Sequence, residues 1–421
     1  MPKSLLTSRS LANRQFRMFF WGRTISLFGS GMTPVALAFA VLAAPHGPQL
    51  LGYILAAEIL PNVLIVLVGG SLADRYRRDR LIQVGNLGAG ATAAAIAALV
   101  LTGANSIGLF PFAIANGALA AFTSPALRGI VPEIVASGRL TEANALLNTA
   151  RSVAKIVGPA AAGILVATVG GGWSIALDAL SFFIAAAFMA RLRIPARPAP
   201  DATPKLGQPL REGWGYFYRQ RPIFLVTGAY AGINLANMGV WRVLGPVIAA
   251  ATFGPAAWGL ALSLQAVGLL AASLLLVRAV PQHPFRDGML AGAALGFPLL
   301  ALGEHPGLIY PYAAAAVAGV GSAIAAVTWD TLALVFAFGD VGSYITIPLA
   351  VIAAIPVANR WGLYPVATGG GVLLMVSALL PLANRAVRTT RLEQLNRDPL
   401  TGPGLGTLSE GAGGQRSGSP T

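Results

Sequence analysis

Long apolar runs separated by short polar bursts organise the 421-residue chain. A helix crossing the roughly 30 Å hydrocarbon layer needs about 20 apolar residues at roughly 1.5 Å of rise each. Runs of that kind fall near 19–44, 50–70, 81–102, 107–127, 146–169 and 173–190. A second set falls near 223–248, 257–278, 288–303, 308–329, 341–358 and 361–383, where the ninth run is short and the tenth and eleventh nearly merge through 331–339. The pattern predicts an all-α integral membrane protein with twelve transmembrane helices in two sets of six. Between the sixth and seventh runs the text IPARPAPDATPKLGQPLREGWGYFYRQRP is first proline-rich, as a linker is. It then places Trp214, Tyr216, Phe217 and Tyr218 among arginines, which suits a short helix lying at the bilayer interface. The expected units are a six-helix half over 1–193, a cytoplasmic linker with that interfacial helix over 194–221, a second half over 222–384 and a disordered cytoplasmic tail over 385–421. The first run is longer than a signal-peptide core and lacks a clear small-residue cleavage site, so it is expected to remain as the first helix.

Charge tests the count independently. Lys3, Arg9, Arg14 and Arg17 precede the first run, Arg75, Arg77, Arg78 and Arg80 follow the second, and Arg128 and Arg139 follow the fourth. Seven basic residues from Arg191 to Arg221 follow the sixth, Arg278 and Arg286 the eighth, and Arg385, Arg388, Arg391, Arg397 and Arg416 the twelfth. With twelve spans all of these share one side, against Arg360 alone in the opposite loops, and the positive-inside rule then puts both termini in the cytoplasm. This distribution in bursts also argues against nucleic acid as the partner of a chain of formal charge +14.

Composition agrees. Hydrophobic residues make up 55% and charged residues 10%, with a mean hydropathy of +0.69. That is too little charge to clothe a soluble protein of this length. With no cysteine, thiol catalysis, thiolate metal sites and disulfides drop out. His46, His283 and His305 are too scattered to bind a metal, and no Walker loop is present to use ATP. No cofactor is expected, and no cluster of catalytic residues suggests an enzyme.

Between the second and third runs the chain reads Gly69-Gly70-Ser71-Leu72-Ala73-Asp74-Arg75-Tyr76-Arg77-Arg78-Asp79-Arg80. This resembles the G-x-L-A-D-R-x-G-R-R/K loop of the major facilitator superfamily: Gly70, Leu72, Ala73, Asp74, Arg75, Arg78 and Arg80 match, while Arg77 stands where a second glycine is usual. The resemblance implies that the aspartate and arginines hold the two halves together at the cytoplasmic face, with the acid near the positive end of a neighbouring helix. A plain positive-inside anchor is the simpler alternative. Asn13-Arg14-Gln15-Phe16-Arg17, Pro125-Ala126-Leu127 with Val131-Pro132-Glu133, Arg139-Leu140, Glu142 to Leu147 and Asp178 to Phe182 resemble the branch containing siderophore and macrolide exporters. In the second half the likeness thins to Gly213-Trp214, Trp329-Asp330-Thr331 and Gly342-Ser343-Tyr344. The polar loop that relatives carry between the tenth and eleventh helices is shortened here.

Within the fifth run, Gly158-Pro159 and Gly163 resemble the G-P-x-x-G-G signature of drug–proton antiporters, with Ala162 in place of one glycine. Small residues allow close helix approach and proline frees a carbonyl, so ordinary helix packing is the alternative. Charges inside spans are costly and mark aqueous cavities or partners. Glu58 and Lys155 each lie about nine residues from a helix end, roughly 13 Å deep and near the midplane. Such an acid should find a partner or keep its proton, as coupling requires, although a structural role stays open. Arg151, Asp178 and Asp330 are further coupling candidates, Asp178 with a helix-start hydrogen bond as the rival reading. Arg23, Arg151 and Arg242 fit snorkelling from near helix ends. Arg23, Phe28, Phe39, Trp241 and Gln265 are the candidates for lining a substrate cavity.

The expectation is a monomeric secondary transporter in a bacterial inner membrane, exporting small amphipathic molecules by proton antiport about a midplane site. Two readings stand beside it: a uniporter or uptake symporter on the same scaffold, which would want more polar cavity residues, and a non-transporting sensor or partner-binding protein, motivated by the short segment after the tenth run.

Overall fold

A computed structural model describes residues 10–73, 77–192, 221–276, 281–304, 309–333 and 346–389, with side chains described outside 66–73, 221–223, 309 and 327–333. The first six helices are α1 Arg14–Leu42, α2 Gly47–Ala73, α3 Arg78–Leu101, α4 Leu109–Gly129, α5 Leu140–Val169 and α6 Gly171–Met189. In the second half, α7 starts as Arg221–Ala236, passes through a π-helical stretch Asn237–Leu244 and ends as Gly245–Ala251. There follow α8 Gly254–Leu276, α9 Pro284–Gly303 with a 3-10 turn at Ala294–Gly296, α10 Ile309–Ala333, α11 Thr346–Trp361 and α12 Leu363–Leu379. Among the described residues no strand occurs, and ten helices are long and apolar enough to cross a membrane. The apolar helices Tyr310–Ala326 and Thr346–Trp361 are shorter. Leu274, Leu275, Leu349 and Ile164 stand exposed on the bundle surface, as side chains facing lipid do.

The helices begin where local chemistry allows. α1 starts five residues before its apolar run because the Asn13 carboxamide oxygen accepts from the backbone N–H groups of Gln15 (2.9 Å) and Phe16 (3.4 Å). The cap satisfies two otherwise orphaned donors. Phe16 and Phe19 are then fully buried against Ile82, Ile130 and Leu146, a satellite core at the arginine-rich end. At the opposite end the connections are tight: α5–α6 and α11–α12 each turn on one glycine, Gly170 (φ 91°) and Gly362 (φ 90°). A side chain would strain that conformation. The expected tail begins with a further helical turn, Arg385–Thr389, whose Val387 is buried with Val226, Phe285 and Met289. The predicted interfacial helix and the shortened tenth-to-eleventh segment lie outside the described residues.

Packing repeats with a period of six helices. In the first half α1 packs on α5 and α6, α4 on α2 and α3, and α3 on α6. In the second, α7 packs on α11 and α12, α10 on α8 and α9, and α9 on α12. The two sets meet along α2 with α11 and α5 with α8, which are themselves equivalent under that repeat. The largest core cluster follows these contacts, joining Val35, Leu51, Ile54 and Ile175 to Leu244, Ile248, Trp258 and Val351.

Candidate functional site

Five helices of the first half converge on a cavity of about 360 Å³. Arg23, Ser30 and Thr33 come from α1, Glu58 from α2, Asn86 from α3, Asn116 from α4 and Asp178 from α6. Arg242, from the π-helical stretch of α7, reaches the same space and is the only lining residue of the second half among those described. A π-helix carries an extra residue per turn and rotates the residues after it, which is how such stretches come to present functional side chains. Glu58 accepts a hydrogen bond from Asn116 Nδ2 at 3.0 Å, and the charge of Arg242 acts on it. Asp178, 3% exposed, accepts from Thr33 Oγ1 at 2.5 Å and from Ser181 Oγ at 3.3 Å. Two carboxyls and two guanidiniums thus share one small space beside the join of the halves.

A second cavity of about 450 Å³ adjoins the first, sharing Arg23, Ser124 and Leu127, and extends toward the arginine-rich end past Asn144, Asn148, Arg128 and Arg151. Arg151 donates to Asn148 Oδ1 at 3.1 Å, and Arg23 to Ser26 Oγ at 3.5 Å. Lys155, one turn from Arg151, is exposed, and the charges of Arg151 and Arg242 act on it.

The structure redistributes several sequence expectations. Glu58 and Asp178 do meet in one cavity, and Asp178 lies about two turns into α6 rather than at its start. Glu58 finds Asn116 and Arg242 as partners, not Lys155. Arg23 and Arg242 line the cavity, so snorkelling toward a headgroup does not describe them. For Arg242 the reason is that α7 runs on to Ala251, which leaves the arginine well inside the helix. Trp241, 5% exposed, packs against Trp258 with ring centroids 4.7 Å apart and planes tilted by 51°, and donates from Nε1 to Gln265 Oε1 at 3.2 Å. Phe39 is buried in the main core, and none of Phe28, Phe39, Trp241 and Gln265 lines either cavity. Asn86, Asn116 and Thr33 were missed; one polar residue in an apolar run is the only mark they leave in the sequence.

Gln265 has a different significance. Gly117 of α4 lies so close to the carbonyl of Glu58 that an added Cβ would collide with it, and Gly319 of α10 stands in the same relation to the carbonyl of Gln265. Under the six-helix repeat α2–α4 corresponds to α8–α10, so Gln265 is the counterpart of Glu58. The acid of one half is an amide in the other.

The glycine–proline stretch of α5 forms the seam with α8. A Cβ on Gly259 would collide with the Pro159 carbonyl, one on Gly163 would lie 2.5 Å from the Pro255 carbonyl, and Ala160 N donates to Ser263 Oγ at 3.1 Å. Gly158 meets Gly31 of α1 on its other side, backbone against backbone. In the loop after α2, Asp74 and Arg75 lie outside the described residues, as do the side chains of Gly70, Leu72 and Asp330. Arg80 is exposed. Arg78 is held within the first half: its Nη1 donates to Gly129 O at 2.6 Å and to Glu133 Oε1 at 2.8 Å. Nearby, Asn13 Nδ2 donates to Ile134 O at 2.9 Å and Ser10 Oγ to Glu142 Oε2 at 2.8 Å. These bonds brace the arginine-rich ends of α1, α3, α4 and α5 into one body.

Comparison with known proteins agrees with this architecture. Residues 7–335 match the family model described as transmembrane secretion effector. An enterobactin exporter of Citrobacter koseri is 28% identical over 293 residues, covering 68% of each chain. One of Shigella boydii is 29% identical over 189 residues, so the alignment spans 44% of that relative and 44% of this chain. Among solved structures, a peptide transporter crystallised with sulfate superposes with a TM-score of 0.68 at 14% identity, covering 88% of this chain and 94% of the other. A bacterial homologue of the iron transporter ferroportin, in an inward-facing state, gives 0.65 at 16% identity over 91% and 100%. These solved structures speak for the fold alone. Family and relatives together mark a multi-pass inner-membrane transporter rather than an enzyme. The chain belongs to the transmembrane secretion effector family of major facilitator transporters.

Proposed function

We propose that the chain exports small amphipathic molecules by proton antiport, alternating access to its central cavity between the two sides of the membrane. The observation that carries this reading is the convergence of Glu58, Asp178, Arg23 and Arg242 on one cavity at the join of the halves. Carboxyls in such a space exchange protons with whichever side it faces, and each proton gained or lost alters the balance with Arg23 and Arg242. Apolar walls beside these groups, including Leu37, Leu55 and Phe182, suit the greasy part of a cargo. The pairwise repeat of helix packing supports twelve spans, and the arginine asymmetry supports two cytoplasmic termini. In that orientation the second cavity lies on the cytoplasmic side, and the α5–α8 contacts around Pro159 hold the two halves together. Export by name in the Citrobacter and Shigella relatives favours outward movement over uptake.

The test has two arms. Efflux-deficient cells expressing the chain, challenged with amphipathic fluorophores, should accumulate less of at least one, and a protonophore should abolish the difference. In proteoliposomes an imposed pH gradient should drive that compound uphill, and Glu58→Gln should bind it yet lose the pH-driven movement. Uphill export at the wild-type rate by Glu58→Gln would make Glu58 structural and move coupling to Asp178 or Asp330.

A further inference from the structure

Building on the exporter reading, we propose that the cargo is an anionic amphiphile whose acidic group is held in turn by Arg151, Arg23 and Arg242. The two adjoining cavities carry a surplus of positive charge. Their walls present Arg23, Arg128, Arg151 and Arg242 against Glu58 and Asp178 alone, and Lys155 adds a fifth positive charge next to Arg151 and Arg242. The excess is positive even when both acids are ionised.

These cations are not spent on structure. Among the described residues the ion pairs are Arg77–Asp79, Arg78–Glu133 and Arg286–Asp287, all outside the two cavities. Arg23 and Arg151 make single hydrogen bonds to neutral side chains, one turn away on their own helices. A guanidinium has five donors, so most of this capacity faces the cavity. The hydrogen bonds of the two acids go to the neutral Asn116, Thr33 and Ser181, and the charge of Arg242 acts on Glu58 without an ion-pair contact. Charge left in a membrane span without a counterion is costly, and the cargo is the counterion that can come and go.

The arrangement also has a direction. Arg128 and Arg151 lie in the cavity nearer the arginine-rich end, Arg23 lines both cavities, and Arg242 lines the first cavity alone. A carboxylate, sulfonate or phosphate entering past Arg128 would meet its next fork at each stage. Leu127, Leu147 and Val131 give the lower cavity an apolar wall for the rest of the molecule.

The test uses three probes with one fluorophore and different charge: dansylglycine (a carboxylate), dansylamide (neutral) and dansylcadaverine (an ammonium). Equilibrium binding to the full chain in neutral-lipid nanodiscs is followed by fluorescence. Dansylglycine should bind at least roughly tenfold tighter than the other two. Arg151→Gln and Arg23→Gln should each weaken it severalfold and leave dansylamide unchanged, with Arg151→Lys restoring part of the loss. Equal or tighter binding of dansylcadaverine, no saturable binding of dansylglycine up to millimolar concentration, or indifference of dansylglycine to both Gln variants would overturn the proposal. The measurement involves no gradient and no flux. A charge preference without uphill export would refute the exporter reading alone, and export without the preference would refute this inference alone.

Discussion

Arg242 is the one described side chain of the second half that lines the cavity of the first, and its planar fork can bridge a carboxylate and a second anion at once. Arg242→Gln keeps a donor but removes the charge, so transport in the proteoliposome assay should fall at least roughly tenfold, while Arg242→Lys, a point charge without the fork, should keep part of it. Full transport by Arg242→Gln would mean the residue only fills space. The sequence made Glu58 and Asp178 legible because an acid in an apolar run stands out. Their partners were not legible: Asn116 and Thr33 are ordinary polar residues, and what matters is which helix each one faces. Arg242 was visible but misread, because its distance from the end of α7 depends on where that helix stops.

Among the elements, α5 bears the closest contact between the halves. Gly259 of α8 sits against the Pro159 carbonyl with no space for a Cβ. Gly259→Leu should therefore push the seam apart or strain it by about 1–3 kcal/mol, the usual cost of overpacking. We expect a lower unfolding temperature for the purified protein and a clear loss of transport; wild-type values for both would show that the contact is loose. The glycine–proline stretch was legible as a place of close approach, and its partner was not. Sequence spacing specifies which residues share a helix face, whereas the pairing of α5 with α8 comes from how two six-helix units dock. The π-helical stretch of α7 was not legible, since Asn237 to Leu244 lies inside one continuous run and run length does not report the number of residues per turn. The substitution of glutamine for glutamate between equivalent helices, Glu58 and Gln265, became apparent only once the glycine contacts aligned the halves.

At the scale of the molecule the membrane itself made the all-helical fold readable, because a bilayer accepts few solutions, while helix number and direction are expectations from run length and arginine placement. A fluorescent protein fused after Thr421 should fluoresce and a periplasmic phosphatase there should stay inactive; the reverse would remove the topology. Asp74→Asn should express normally and transport poorly, since it deletes the charge of the loop and keeps its shape, and normal transport would reduce that loop to an anchor. The brace at the arginine-rich end has a mechanical corollary. With α1, α3, α4 and α5 tied together by Asn13, Arg78, Glu133 and Glu142, the proposed alternation would swing this end of the first half as one stiff beam. Taken as the fulcrum of that proposed motion, the Pro159–Gly259 contact divides α5, Leu140–Val169, unequally. At roughly 1.5 Å per residue, about 29 Å of helix runs back to Leu140 and about 15 Å runs on to Val169. A lever with arms near two to one moves its long end about twice as far as its short end. A parting of roughly 3 Å beyond the seam would then travel about 6 Å at the arginine-rich mouth, closing a wide entrance while opening only a narrow exit.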